Sequence, residues 1–111
     1  MLVYGVRRVS DLGYRSELEA LAGVDPGFLY VPIVSRAGEN QWPGLHGRVQ
    51  IALEPDLFEG LTGTPLEPER YHAFLCGNPD MIESAREILE ERGFRFGHRE
   101  GPGGIHYEKY W

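Results

Sequence analysis

The amino-acid sequence predicts an α/β fold, a mainly parallel sheet with helices on both of its faces. Three observations carry this. Short apolar runs recur along the chain, segments of helical period stand between them, and glycine, proline and asparagine mark the passages from one to the next. With 111 residues the chain is long enough for one compact domain with a hydrophobic core.

Leu2 to Val6 is an apolar run that stops at Arg7 and Arg8, the pattern of a strand covered on both faces. Arg15 to Ala22 has helical spacing, with Leu18, Leu21 and Ala22 on one face and Gly23 placed to end it. Phe28 to Val34 follows an Asp25-Pro26-Gly27 turn, and Pro32 at its centre has no N–H for a ladder, which places this strand at a sheet edge. The stretch Ser35 to Gly47, rich in Gly, Asn, Gln and Pro, reads as a loop at the carboxyl end of that strand. Arg48 to Leu53 resumes helical spacing until Pro55 interrupts it, and Asp56 to Leu61 adds a further turn. Tyr71 to Leu75 is the next strand, and it runs into Cys76-Gly77-Asn78-Pro79. Asn78 is a good N-cap, Pro79 suits the first helical position, and Met81, Ile82, Ala85, Ile88 and Leu89 form one apolar stripe before Arg92 and Gly93. A glycine-rich loop leads to a last strand, Ile105 to Trp111. The order β-α-β-α-β-α-β implies parallel strands joined by crossover helices.

Acidic residues outnumber basic ones, 17 to 11, and the net charge of -6 is spread along the chain, so neither nucleic acid nor an anionic membrane is expected as the main partner. The single cysteine, Cys76, rules out an internal disulfide and fits a reducing compartment, which makes the cytoplasm the expected location. No apolar run reaches membrane-spanning length, and Met1-Leu2-Val3-Tyr4 does not read as a signal peptide.

Ligands of open α/β sheets bind beyond the carboxyl ends of the strands. Those positions hold Arg7, Ser35 with Arg36, and Cys76 with Gly77 and Asn78. Arg7, Arg36 and Arg48 are placed to converge there on an anion; two forked guanidinium groups and a hydroxyl suit a phosphate monoester. Taken singly, each arginine reads as a solvated surface charge, and only the shared placement points to a ligand. Gly77 permits close backbone approach, and the helix beginning at Pro79 aims its amide dipole beyond the strand, although Gly, Asn and Pro also serve as plain punctuation there. Cys76 has no His and Asp at the spacing of a nucleophile and reads as a small packing residue. His46, His72, His98 and His106 lack metal-ligand spacing, so no metal is expected. Gly60-Leu61-Thr62-Gly63 and Gly101-Pro102-Gly103-Gly104 match neither a dinucleotide fingerprint nor a P-loop and read as turns.

Four motifs, in order and spacing, carry a resemblance: Val31-Pro32-Ile33-Val34-Ser35-Arg36, Leu45-His46-Gly47-Arg48-Val49, Leu75-Cys76-Gly77-Asn78-Pro79 and Glu108-Lys109-Tyr110-Trp111. From about Val3 to Trp111 the chain resembles the C-terminal half of bacterial ferredoxin-NADP reductases. The resemblance implies that Ser35, Arg36 and Arg48 hold the 2'-phosphate of NADP(H), with Arg7 near the same nucleotide. It places Cys76 beside the nicotinamide, with Gly77, Asn78 and Pro79 in the same cofactor-binding motif. Glu108 becomes the carboxylate near the reacting rings, Tyr110 the ring stacked on the flavin, and Trp111 an aromatic packed toward the adenine side of FAD.

Members of that family carry an N-terminal flavin barrel, then a first nucleotide-domain strand with a Gly-Thr-Gly type loop; neither is found in these residues. The expectation is therefore an NADP-binding domain over residues 1–111 with the FAD-binding domain absent, and a Rossmann-like sheet lacking its usual first, central strand. The missing flavin half, or another copy of the chain, would then cover the exposed strand edges. The implied function is hydride transfer between NADPH and FAD, with electrons passing to or from ferredoxin or flavodoxin in the complete enzyme. Two alternatives stand beside it: a non-catalytic nucleotide-binding or interaction module, and the NAD-binding domain of an oxygenase reductase.

Overall fold

The computed structural model describes residues 1–38, 40–97 and 100–109. The chain forms two compact units, Met1–Val49 and Gln50–Trp111.

In the first unit the β-branched and aromatic run Leu2–Val6 forms β1, which pairs in parallel with β2, Tyr30–Val34, from Leu2 opposite Tyr30 to Val6 opposite Val34. A parallel pair needs a crossover, and α1, Arg15–Val24, provides it. Asp25 closes the return turn, its carboxylate accepting from the Gly27 N–H at 2.8 Å and its carbonyl from Phe28 N–H. A two-residue strand β3, Leu45–His46, adds to the far side of β2, giving the order β1-β2-β3. The core of this unit gathers Leu12, Val34 and Trp42, with Tyr4, Val6, Val9 and Ala37 packed against them.

A 3-10 turn over Val49–Leu53 leads into the second unit and α2, Pro55–Thr62, where Pro55 stands at the start of the helix and Gly63, at φ 78°, ends it. β4, Ala73–Gly77, is followed by α3, Pro79–Glu91; Asn78 caps α3 by accepting from the Asp80 N–H at 2.7 Å. β5, Arg95–Phe96, and β6, Gly104–Lys109, complete a parallel sheet in the order β4-β6-β5. Ile82, Ala85 and Leu89 of the apolar α3 stripe are buried. Leu89 joins Phe58, Leu66, Phe94 and Ile105 in a core that Tyr71, Ala73 and Leu75 flank. No helix among the described residues is long and apolar enough to cross a membrane.

The α/β character and the parallel pairing agree with the sequence reading, and the strands form two sheets. β1 hydrogen-bonds only to β2 and β4 only to β6 among the described residues. The double covering expected of the strands is correspondingly incomplete. No residue of β1 is fully buried, and β4 alternates, with Ala73, Leu75 and Gly77 half-buried and Phe74 and Cys76 exposed. Pro32 does not make β2 an edge strand. Val34 turns its carbonyl to Gly47 N–H on the β3 side, so by the two-residue alternation Pro32 faces that side too; β3 pairs only Ile33 and Val34, and the missing donor meets no ladder. Helix α1 runs through Gly23 to Val24 and buries no residue, with Leu21 and Val24 exposed. Pro55 starts a helix where an interruption was read, because a missing N–H costs nothing in the first turn.

Two stability outcomes follow. Leu89→Ala removes a fully buried side chain at the centre of the second core and is expected to cost about 2–5 kcal/mol in urea unfolding. The Tyr30 hydroxyl is buried without a hydrogen-bond partner among the described residues, and burial, then Glu19, holds its pKa above the usual value. Tyr30→Phe deletes that unsatisfied group and is expected to raise stability by about 1 kcal/mol in the same assay; a clear loss would show that the hydroxyl has a partner in solution.

Candidate functional site

Parallel strands end on one side of their sheet, and so the residues that follow β1, β2 and β3 are brought together. The ladder continues past the strands. Ser35 N–H donates to the Val6 carbonyl at 2.9 Å, Arg36 N–H to the Arg7 carbonyl at 2.7 Å, and Gly47 N–H to the Val34 carbonyl at 3.0 Å. Just beyond lies an open cleft of about 340 Å³ lined by Arg8, Val9, Ser10, Arg36, Ala37 and Gln41.

Of the residues the sequence singled out at this end, Arg36 lines the cleft. Arg7, Ser35 and Arg48 are exposed at the ends of their strands and are not part of its lining. Arg8 and Gln41 are the residues that sequence reasoning missed. A consecutive Arg7-Arg8 pair was the available signal, but which member faces inward depends on where the chain leaves the ladder. None of Arg7, Arg8, Arg36 and Arg48 forms an ion pair among the described residues, whereas Arg15, Arg70 and Arg86 each bind a glutamate within their own helix or turn.

The cleft has a firm floor. Val9 and Ala37 pack on the Leu12, Val34 and Trp42 cluster. Trp42 is almost fully buried, donates from its indole to the Leu45 carbonyl at 3.0 Å and lies under the Arg15 guanidinium, 5.0 Å from ring centre. His46 Nε2 lies 2.7 Å from the Trp42 carbonyl. A Cβ at Gly44 would come within 2.8 Å of the indole, so only glycine lets the loop pass over that ring.

The second cluster stands at the carboxyl end of β4 and β6. Cys76 pairs in register with Glu108, and both side chains are exposed on one face of the sheet; register places His72, Phe74 and His106 on that face as well. Phe74 is 78% exposed, with its ring stacked on His106 at 5.1 Å. Gly77 has φ 134°, a conformation that a side chain would strain, and leads directly into the Asn78 cap and Pro79. Tyr110 and Trp111, assigned by resemblance to the flavin, lie outside the described residues.

Comparison with known proteins places the chain in a family. The chain is 36% identical to ferredoxin–NADP reductase B of Sorangium cellulosum over 98% of its own length and 41% of that protein. It is 34% identical to the anthranilate 1,2-dioxygenase electron transfer component of Acinetobacter baylyi over 82% of its length and 24% of that protein. Among solved structures, a ferredoxin NADP+ reductase from Neisseria gonorrhoeae with bound FAD and NADP superposes with a TM-score of 0.81 at 28% identity, covering 99% of this chain and 44% of that one. The chain thus spans about two fifths of the length of the reductases it matches. The profile of the oxidoreductase NAD-binding domain matches residues 1–87, and the chain belongs to that family of nucleotide-binding domains, in the form found in ferredoxin–NADP reductases.

Proposed function

We propose that this chain is the NADP(H)-binding portion of a flavin-dependent reductase, in which hydride moves between the nicotinamide and FAD and electrons pass to or from ferredoxin or flavodoxin. The observation that carries the coenzyme choice is the cleft at the end of β1 and β2, where Arg36 stands free of any ion pair among the described residues. A guanidinium fork in that place suits the two oxygens of a ribose phosphate, and Ser35, next to it at the strand end, adds a hydroxyl donor. NAD would leave this cation without a partner, which weighs against the oxygenase-type NAD reading despite the likeness to a dioxygenase electron transfer component.

The nicotinamide end falls to Cys76, Gly77, Asn78 and Pro79. Gly77 lets the coenzyme approach the backbone, Asn78 and Pro79 fix the turn into α3, and Cys76 lies beside the ring. Glu108, in register with Cys76, supplies a carboxylate on the same face. FAD, when bound by the complete reductase, accepts or donates the hydride. Tyr110 and Trp111 are the chain's own aromatic candidates for contact with it. A purely non-catalytic module is the rival reading.

Titration of the purified chain with NADP+ and NAD+ is expected to show a preference for NADP+, and Arg36→Ala is expected to weaken NADP+ binding by about 10- to 100-fold while leaving NAD+ unchanged. Equal affinity for both coenzymes in the parent protein would remove the NADP reading. Cys76 is exposed, so iodoacetamide is expected to label it without denaturant, and saturating NADPH is expected to slow the labelling several-fold. Labelling that ignores NADPH would take Cys76 away from the nicotinamide.

A further inference from the structure

We infer that Arg8, with Ser10 and Gln41, completes the phosphate-monoester site begun by Arg36, and that Arg8 is the second cationic residue that sets the preference for a 2'-phosphorylated coenzyme. This rests on the NADP reading above and deepens it.

The argument starts from what lines the cleft. Its polar side chains are Arg8, Ser10, Arg36 and Gln41, over an apolar floor of Val9 and Ala37. No carboxylate is among them in the described residues. Gln41 uses its carbonyl oxygen to accept from Gly38 N–H at 3.0 Å, which leaves its NH₂ to donate. The two guanidinium groups offer donors only, and the Ser10 hydroxyl adds one more. A lining that donates from every polar side chain and carries two fixed positive charges fits a ligand with several acceptor oxygens and negative charge. A phosphate monoester has three such oxygens.

Local backbone geometry explains why Arg8, and not Arg7, takes this place. Arg7 is the last residue held by the ladder, its carbonyl accepting from Arg36 N–H. At Arg8 the chain turns away into a 3-10 turn, Val9–Asp11. Arg8 N–H donates to the Asp11 carboxylate at 3.2 Å and Asp11 N–H donates to the Arg8 carbonyl at 3.0 Å, a reciprocal pair that fixes the Arg8 backbone. The nearby carboxylate is therefore engaged by a main-chain donor and forms no ion pair with Arg8 or Arg36 among the described residues. Arg8 reaches the cleft from the end of β1 and Arg36 from the end of β2, so an anion between them is held from two strands.

Calorimetric titration of the full chain with 2',5'-ADP and with 5'-AMP tests this, because the two probes differ in the 2'-phosphate. The parent is expected to bind 2',5'-ADP more tightly. Arg8→Ala is expected to weaken 2',5'-ADP about tenfold and leave 5'-AMP unchanged, with an unaltered circular dichroism spectrum. Arg8→Lys keeps the charge but loses the fork, and is expected to recover only part of the loss. Arg95→Ala, which deletes an exposed arginine of β5, is expected to behave as the parent and controls for loss of net charge. If Arg8→Ala retains the full preference while Arg36→Ala loses it, Arg8 is a solvated surface charge and the inference fails, with the NADP reading intact. If the parent itself does not distinguish the two probes, the NADP reading fails and Arg8 loses its role with it.

Discussion

The parallel pairing of β1 with β2 is the constraint on which the nucleotide end of this molecule depends. Register in a ladder decides which face each side chain occupies, and a slip of one residue would exchange them all. Here Ser35 N–H donates to the Val6 carbonyl in the ladder's alternation, and Arg36 N–H donates to the Arg7 carbonyl outside it, so the two chains stay bonded as they leave the ladder. The cleft is a consequence of that last bond. Arg36 is held beside Arg7, the chain leaves the ladder at Arg8, and the two side chains presented to the opening are those of Arg8 and Arg36. Trp42 supports the geometry from below: buried and bonded to Leu45, it holds the loop between β2 and β3 against the floor of the cleft.

Much of this was legible in the amino-acid sequence, and the limits have physical reasons. The α3 stripe and the Asn78 cap follow from short-range chemistry and stand as read, while the strand read over Tyr71 to Leu75 forms two residues later, at Ala73–Gly77, and takes in Cys76. The two-residue strands β3 and β5 carry no periodicity of their own and exist only through their neighbours. Pro32 misled because a proline constrains one side of one residue, whereas the edge of a sheet is a property of the whole strand; a short β3 satisfies both. At the site, the family motif pointed to Arg36 and the strand end, but the choice of Arg8 over Arg7 turns on a 3-10 turn whose only mark in the sequence is Asp11, three residues on.

Charge placement adds to the local argument. The first unit, Met1–Val49, has five basic and five acidic residues, while the second, Gln50–Trp111, has six basic and twelve acidic, so the whole net charge of -6 belongs to the second. An anionic ligand of the first unit is therefore opposed by no net charge of that unit. Charges beyond about 8 Å are largely screened in physiological salt, and the guanidinium groups lining the cleft, without an ion pair among the described residues, dominate the field there.

The two clusters differ in how complete they are. The cleft beyond β1 and β2 has a floor, two guanidinium groups and a donor lining among the described residues, all from one unit. The Cys76 and Glu108 pair has one wall. Its sheet is covered by α2 and α3 on the face of Leu75 and Ile105, and the opposite face carries Cys76, Glu108 and an aromatic group headed by the exposed Phe74. β4 also ends its sheet with an edge that pairs with no strand among the described residues, a place where backbone donors and acceptors favour another strand. Hydride transfer requires a site closed to water and a second redox ring stacked on the first. Under the reductase reading, then, coenzyme recognition is written within this chain, whereas the chemistry needs a surface laid over the Cys76 face, and the reductases that match here are more than twice as long.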